Sequence, residues 1–226
     1  MNIALHAMDY VTLAIFISAW VGTNWLIAHR ASRSPGLHDL VIPLRAEWMH
    51  QIQLRSNRIA DASLIGHLMH SATFFSSTTA LILGGLIALL GTLEKSVNVV
   101  RNLPFAVELT QQVLEIKALV LIVVFVVAFV RFTWSVRQYA LITILVGAMP
   151  EPVNGVEERS YLASSAGRLL GLAGDNYTKG LRTYYFAVPV LCWFLHPLLF
   201  LAASLTVAVT MYWMDFHSKT LAAVRG

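Results

Sequence analysis

A chain of 226 residues that is 57% hydrophobic and only 12% charged is too apolar for a soluble domain of its length and points to the bilayer. The net charge of +4 comes without a basic stripe interleaved with aromatics, which sets aside nucleic-acid binding. One cysteine, Cys192, excludes an internal disulfide and a cysteine metal cluster.

A spanning helix needs about 20 mainly apolar residues, and the first such stretch is residues 8–28. No Lys or Arg precedes it and no small-residue cleavage site follows, so it reads as a retained helix rather than a signal peptide. Residues 39–70 follow with Arg45, Arg55 and Arg58, and together with Arg30 and Arg33 these put the segment in the cytoplasm by the positive-inside rule. Trp48, Ile52, Ile59 and Leu64 or Ile65 repeat at helical spacing, which predicts one helix running on into the second span, with Pro43 near its start. Asn57, Arg58 and Asp61 form a candidate polar network there, Arg58 and Asp61 pairing at i,i+3.

The second span, residues 71–91, is unusual for its hydroxyls, "SATFFSSTT". Thr73, Ser77, Ala80, Gly84 and Ala88 make a small-residue strip suited to close helix packing, while Ser76 and Thr79 on the adjoining face are candidates to line a pathway. The connection that follows carries Lys95 and Arg101 against Glu94, Glu108 and Glu115, as expected outside the cytoplasm. The third span, residues 118–136, continues past Arg131 and Arg137 to "MPEP". Arg137 falls at the headgroups, with Trp134 an interface anchor or a stacking partner. Arg131 lies deeper, in reach of pairing with Asp61 or Asp175 or of meeting an anion at the cytoplasmic mouth, and is the candidate for charge selectivity.

Residues 151–183 read as a linker and a helix over 157–172 whose apolar face, Tyr161, Ala166, Leu169 and Leu170, packs on the projecting helices; "AGDNYTKG" reads as a turn. The last span, residues 187–213, carries a kink at His196–Pro197. Four spans put both termini in the periplasm. The expectation is a single all-α domain, an integral membrane four-helix bundle with long helices extending into the cytoplasm, assembled as a homo-oligomer.

His67, His70 and His196 are weak candidates for a metal or haem, because their spacing matches no strong ligand motif, and no cofactor is expected. No nucleophile–base pair, carboxylate pair or phosphate-binding glycine loop stands out, so catalytic residues are not expected and the chain does not read as an enzyme.

The blocks "RAEWMHQIQLRSNRIADASLIGHLMHSATFFSSTTALILGGLIALLG", "FVRFTWSVRQYALITILVGAMP" and "GLRTYYFAVPVLCWFLHPLLF" resemble, in this order, the bacterial branch of the domain of unknown function 599 family. The resemblance implies a multi-pass membrane protein and supplies no activity, ligand or catalytic residue. The functional expectation is a non-enzymatic, oligomeric channel-like or transport assembly of the bacterial inner membrane. The alternatives are an accessory subunit of a larger membrane complex and a histidine-ligated haem or metal redox protein.

Overall fold

The computed structural model describes residues 7–31, 34–92, 111–151 and 160–225. They form eight helices and no strand: α1 (Ala7–Ala31), α2 (Leu37–Gln53), α3 (Ile59–Gly91), α4 (Gln111–Ala148), α5 (Ser160–Tyr185), α6 (Ala187–Trp193), α7 (Pro197–Phe216) and α8 (Lys219–Arg225). Arg33, Arg159, the connection bearing Glu94, Lys95, Arg101 and Glu108, and the start expected at residue 157 lie outside the described residues.

Four helical stretches are long and apolar enough to cross a membrane: Met8–Arg30, Ile59–Gly91, Gln112–Ala148 and Pro197–Val224. Their surfaces suit lipid, since Val21, Trp25, Leu81, Ile87 and Val209 are each more than 60% exposed. At 1.5 Å per residue, α3 with 33 residues and α4 with 38 are roughly 50 and 57 Å long, well beyond an apolar layer of about 30 Å. The excess holds a second core. Met49, Ile52, Ile65, Tyr139, Ile142, Ala166 and Leu170 join α2 to α5 at one end of the bundle, here the α2 end. Phe16, Leu121, Val124, Phe186, Val190, Trp193 and Phe200 fill the span-level core.

The helix expected across residues 39–70 is broken. α2 stops at Gln53 and α3 starts at Ile59. The side-chain oxygen of Asn57 accepts from the Ile59 amide at 3.0 Å, a local bond that competes with helix. The Arg58 guanidinium donates to the carbonyls of Ile52, Gln53 and Arg55 at and just past the end of α2, and to those of Met149 and Pro150 just past the end of α4. Arg58 therefore does not pair with Asp61. That buried carboxylate accepts from Trp48 Nε1 at 2.8 Å and from Arg55 at 2.6 Å. Pro43 sits inside α2, because that helix begins at Leu37, and Ile59 and Leu64 face outward.

The "AGDNYTKG" segment, expected as a turn, lies within α5. Its polar groups are satisfied in helical geometry: Lys179 pairs with Asp175 at 2.7 Å across one turn, and Thr178 donates back to the Gly174 carbonyl at 2.8 Å. Its glycines serve packing. A Cβ at Gly174 would stand 2.2 Å from the Arg45 guanidinium, one at Gly180 2.7 Å from the Phe132 ring, and one at Gly167 3.0 Å from the Ala46 backbone. On the expected apolar face, Ala166 and Leu170 are buried, Leu169 is partly buried and Tyr161 is 65% exposed.

The last expected span is two elements that fold back on each other. α6 ends at Trp193, and His196 caps α7 by accepting the Leu198 amide on Nδ1 at 3.1 Å, with Pro197 in the first turn where its missing N–H costs nothing. The reversal is fixed by contacts: Phe16 touches both Phe186 and Phe200, at 6.0 and 5.1 Å, and Arg182 reaches Asp215 at 3.0 Å. α7 consequently runs parallel to α1, with Asp9 beside Trp193 at one end and Arg30 beside Tyr212 at the other. The start of α1 and the end of α7 thus lie at opposite ends of the bundle. The stretch from mid-α5 through α6 runs back along α4, with Gly180 against Phe132 and Trp193 against Lys117.

Candidate functional site

α4 carries Arg131, Ser135, Gln138 and Tyr139 at helical spacing, a polar strip turned toward α5. Ser135, fully buried, donates to the Ala173 carbonyl at 2.8 Å. Asn176 of α5 donates to Gln138 at 3.0 Å and accepts from Arg131 at 3.0 Å. Arg131, Ser135, Gln138 and Asn176 each have a hydrogen-bond partner here, which is what burying an amide or hydroxyl requires.

Arg131 is the exposed end of the seam. It opens into a cleft of about 410 Å³ whose walls are α1 (Trp20, Val21, Asn24, Ala28) and α4 (Val127, Arg131) and whose floor is α5 (Lys179, Thr183). α1 packs on α7 and leaves this gap beside α4. Lys179 is already paired with Asp175, which also lies 3.6 Å from His38 Nε2. Arg131 has the neutral Asn176 as its partner, and among the described residues no carboxylate pairs with it.

A second groove, of about 650 Å³, runs between α2 and α5 at the α2 end, past His38, Asp39, His50, Arg168 and Asp175. Burial draws the His38 imidazole below its ordinary pKa, a pull that the Asp175 carboxylate opposes and Arg45 reinforces. Beneath it Arg45 lies against Gly174 with Nη1 buried and unpartnered. At the far end Lys117 donates to the Trp193 carbonyl at 2.8 Å and lies over its ring, while Trp193 donates to Asp9 at 2.8 Å, tying α1, α4 and α6 together.

The expected site residues are only partly brought together. Ser76 and Thr79 are buried on the face of α3 that meets α4, Thr79 donating back to the Phe75 carbonyl at 2.6 Å, and neither lines the Arg131 cleft. Thr73, Ser77, Ala80, Gly84 and Ala88 are exposed, and a Cβ at Gly84 would meet nothing within 4 Å. Among the described residues the strip therefore packs on no other helix. Arg131 bonds Asn176 rather than Asp61 or Asp175, and Arg137 lies over the Trp134 ring at 5.7 Å, as the stacking expectation has it.

His67 and His70 are exposed on α3. His70 lies near the level of Phe75, which stacks on Phe132, whereas His196 lies beyond Trp193, level with Lys117. The two levels differ by roughly 20 Å along α4, so these histidines cannot share one haem or metal. Among the described residues no three His, Cys, Asp or Glu side chains gather as a metal site.

Sequence reasoning passed over Asn24, Gln138, Asn176 and Thr183, and read Lys179 only as part of the "AGDNYTKG" turn. Asn24 within an apolar span was the available signal, since a polar side chain at membrane depth usually faces a cavity or the bundle interior.

The chain belongs to the family described as Protein of unknown function, DUF599. Its model matches residues 11–220, nearly the whole chain. No curated protein and no solved structure matches. This is therefore a membrane protein of a family without an assigned activity, and the reading of its function rests on the cleft.

Proposed function

We propose that the protein is the subunit of a non-enzymatic, oligomeric channel-like or transport assembly of the bacterial inner membrane, with its α2 end in the cytoplasm. The orientation follows from Arg30, Arg45, Arg55, Arg58, Arg168, Lys179 and Arg182, all at or toward that end. The observation that carries the functional reading is Arg131: a cation at span depth, uncompensated by a described carboxylate, at the mouth of a cleft and joined to a buried polar seam. Charged groups at such depth mark solute or ion paths because their cost otherwise selects against them. Arg131 would admit anions and repel cations. In this reading the path runs by Arg131 and Lys179 rather than by Ser76 and Thr79, and the exposed strip on α3 supports contact with a neighbouring subunit.

Anion flux into liposomes carrying the purified protein tests it. Arg131→Gln is expected to lower flux about tenfold, the scale of one lost charge-assisted contact, while Ser76→Ala with Thr79→Ala leaves it near wild type. Equal flux with and without Arg131, or none at all, would sink the proposal. Absence of flux together with a stoichiometric membrane partner in mild detergent would instead favour the accessory-subunit reading, in which the α3 strip is the docking face.

A further inference from the structure

The three helices that build the cleft share one gradient of polarity. On α1, Trp20 and Val21 precede Asn24; on α4, Val127 lies one turn before Arg131; on α5, which runs the other way, Thr183 lies one turn beyond Lys179. α1 and α4 both run toward the α2 end, and α5 runs away from it, so Trp20, Val21, Val127 and Thr183 lie at the end of the cleft away from α2, with Ala28 the one apolar lining residue beyond Asn24. Each helix places its cation or amide nearer the α2 end. Val21 is 61% exposed at the mouth, so the cleft opens sideways toward lipid.

An inorganic anion needs only the charged end of such a cleft. An apolar ligand would leave Arg131 desolvated without a counterion, at a cost. The arrangement fits a molecule with both properties. We infer that the cleft seats an anionic amphiphile, its phosphate or carboxylate between Arg131 and Lys179 and its chain along Trp20, Val21 and Val127. Arg131 is held for this role. One of its five donors is spent on Asn176, which fixes the plane of the guanidinium, and the remaining edge matches the two oxygens of such a group. Lys179, already shared with Asp175, adds a point charge on the floor. The volume of about 410 Å³ lies in the range of small-molecule sites. The inference deepens the proposed function, resting on the same cleft and naming the class of solute.

Native mass spectrometry of the full chain in detergent, titrated with dioctanoyl phosphatidylglycerol, dioctanoyl phosphatidylcholine or inorganic phosphate, tests it without requiring flux. The expected result is saturable binding of the glycerol lipid about tenfold tighter than the choline lipid, not displaced by inorganic phosphate, and weakened about tenfold or more in Arg131→Gln/Lys179→Gln. Val127→Trp, which leaves both cations in place and fills the apolar end, is expected to weaken it as well. Should the double variant fail to fold, Val127→Trp decides alone. Equal affinity for the two lipids, displacement by inorganic phosphate, or unchanged binding in a folded variant would each overturn the inference. A protein that binds the lipid yet passes no anion would sink the transport reading and leave this one standing.

Discussion

His38 is where a single side chain reports on the α2 end. It packs in the groove between α2 and α5, faced by Asp175, Arg45, Asp39 and Arg182, and burial dominates, holding its pKa below that of an exposed histidine. In the unfolded chain the imidazole takes its proton near pH 6.5. Between that value and the lower native one the unfolded state binds more protons, so the native state loses stability as pH falls through this window and keeps it above. Thermal melting of the purified protein should show a midpoint that is level above about pH 7 and falls below about pH 6.5, with a shallower fall in His38→Gln. An identical slope in both proteins would remove His38 from the account. The sequence pointed to His67, His70 and His196 among the histidines because they lie in or beside apolar runs; burial beside a carboxylate depends on α5 folding against α2, which no local pattern encodes.

At the scale of the element, glycines of α5 make the closest approaches to other helices, while the expected strip on α3 faces outward. The hydroxyl run of α3 reads in sequence as a packing strip, but a helix at the edge of the bundle, packed chiefly on α4, turns much of such a strip outward. Its hydroxyls are quieted on their own turns, Ser71 on the His67 carbonyl at 3.1 Å and Thr73 on Met69 at 2.9 Å, which makes them tolerable in lipid. Gly180, by contrast, read as turn chemistry and is a contact point: its missing side chain admits the fully buried ring of Phe132. Gly180→Ala is expected to destabilise by about 1–3 kcal/mol in a melting or denaturant series, as overpacking does, while Gly84→Ala is neutral or slightly stabilising. The reverse ranking would mean that the α3 strip carries the tighter contact. The three apolar helices α1, α3 and α4 were legible because composition alone sets them. The break at residues 54–58 was not, since it depends on Arg58 closing the end of α2 and reaching the carbonyls just past the end of α4, 91 and 92 positions away.

For the whole molecule, two stacked cores explain why the chain is longer than its spans need. The span-level core holds α1, α4, α6 and α7, and the core at the α2 end makes a platform from α2, α5 and the projecting parts of α3 and α4. Hydropathy picks out apolar windows, so it passed over mid-α5, where Asp175, Asn176, Lys179 and Arg182 interrupt the apolar run just where they serve the cleft and its neighbouring ion pairs. The role given to Arg131 depends on mid-α5 lying within the membrane, because α5 is the floor of its cleft. The most direct measurement is labelling of single cysteines placed at Met8 and at Lys219 in a Cys192→Ser background, using a maleimide that cannot cross the membranes of sealed vesicles of known orientation. The two positions are predicted to label from opposite sides, and labelling of both from one side would contradict the arrangement on which the cleft rests.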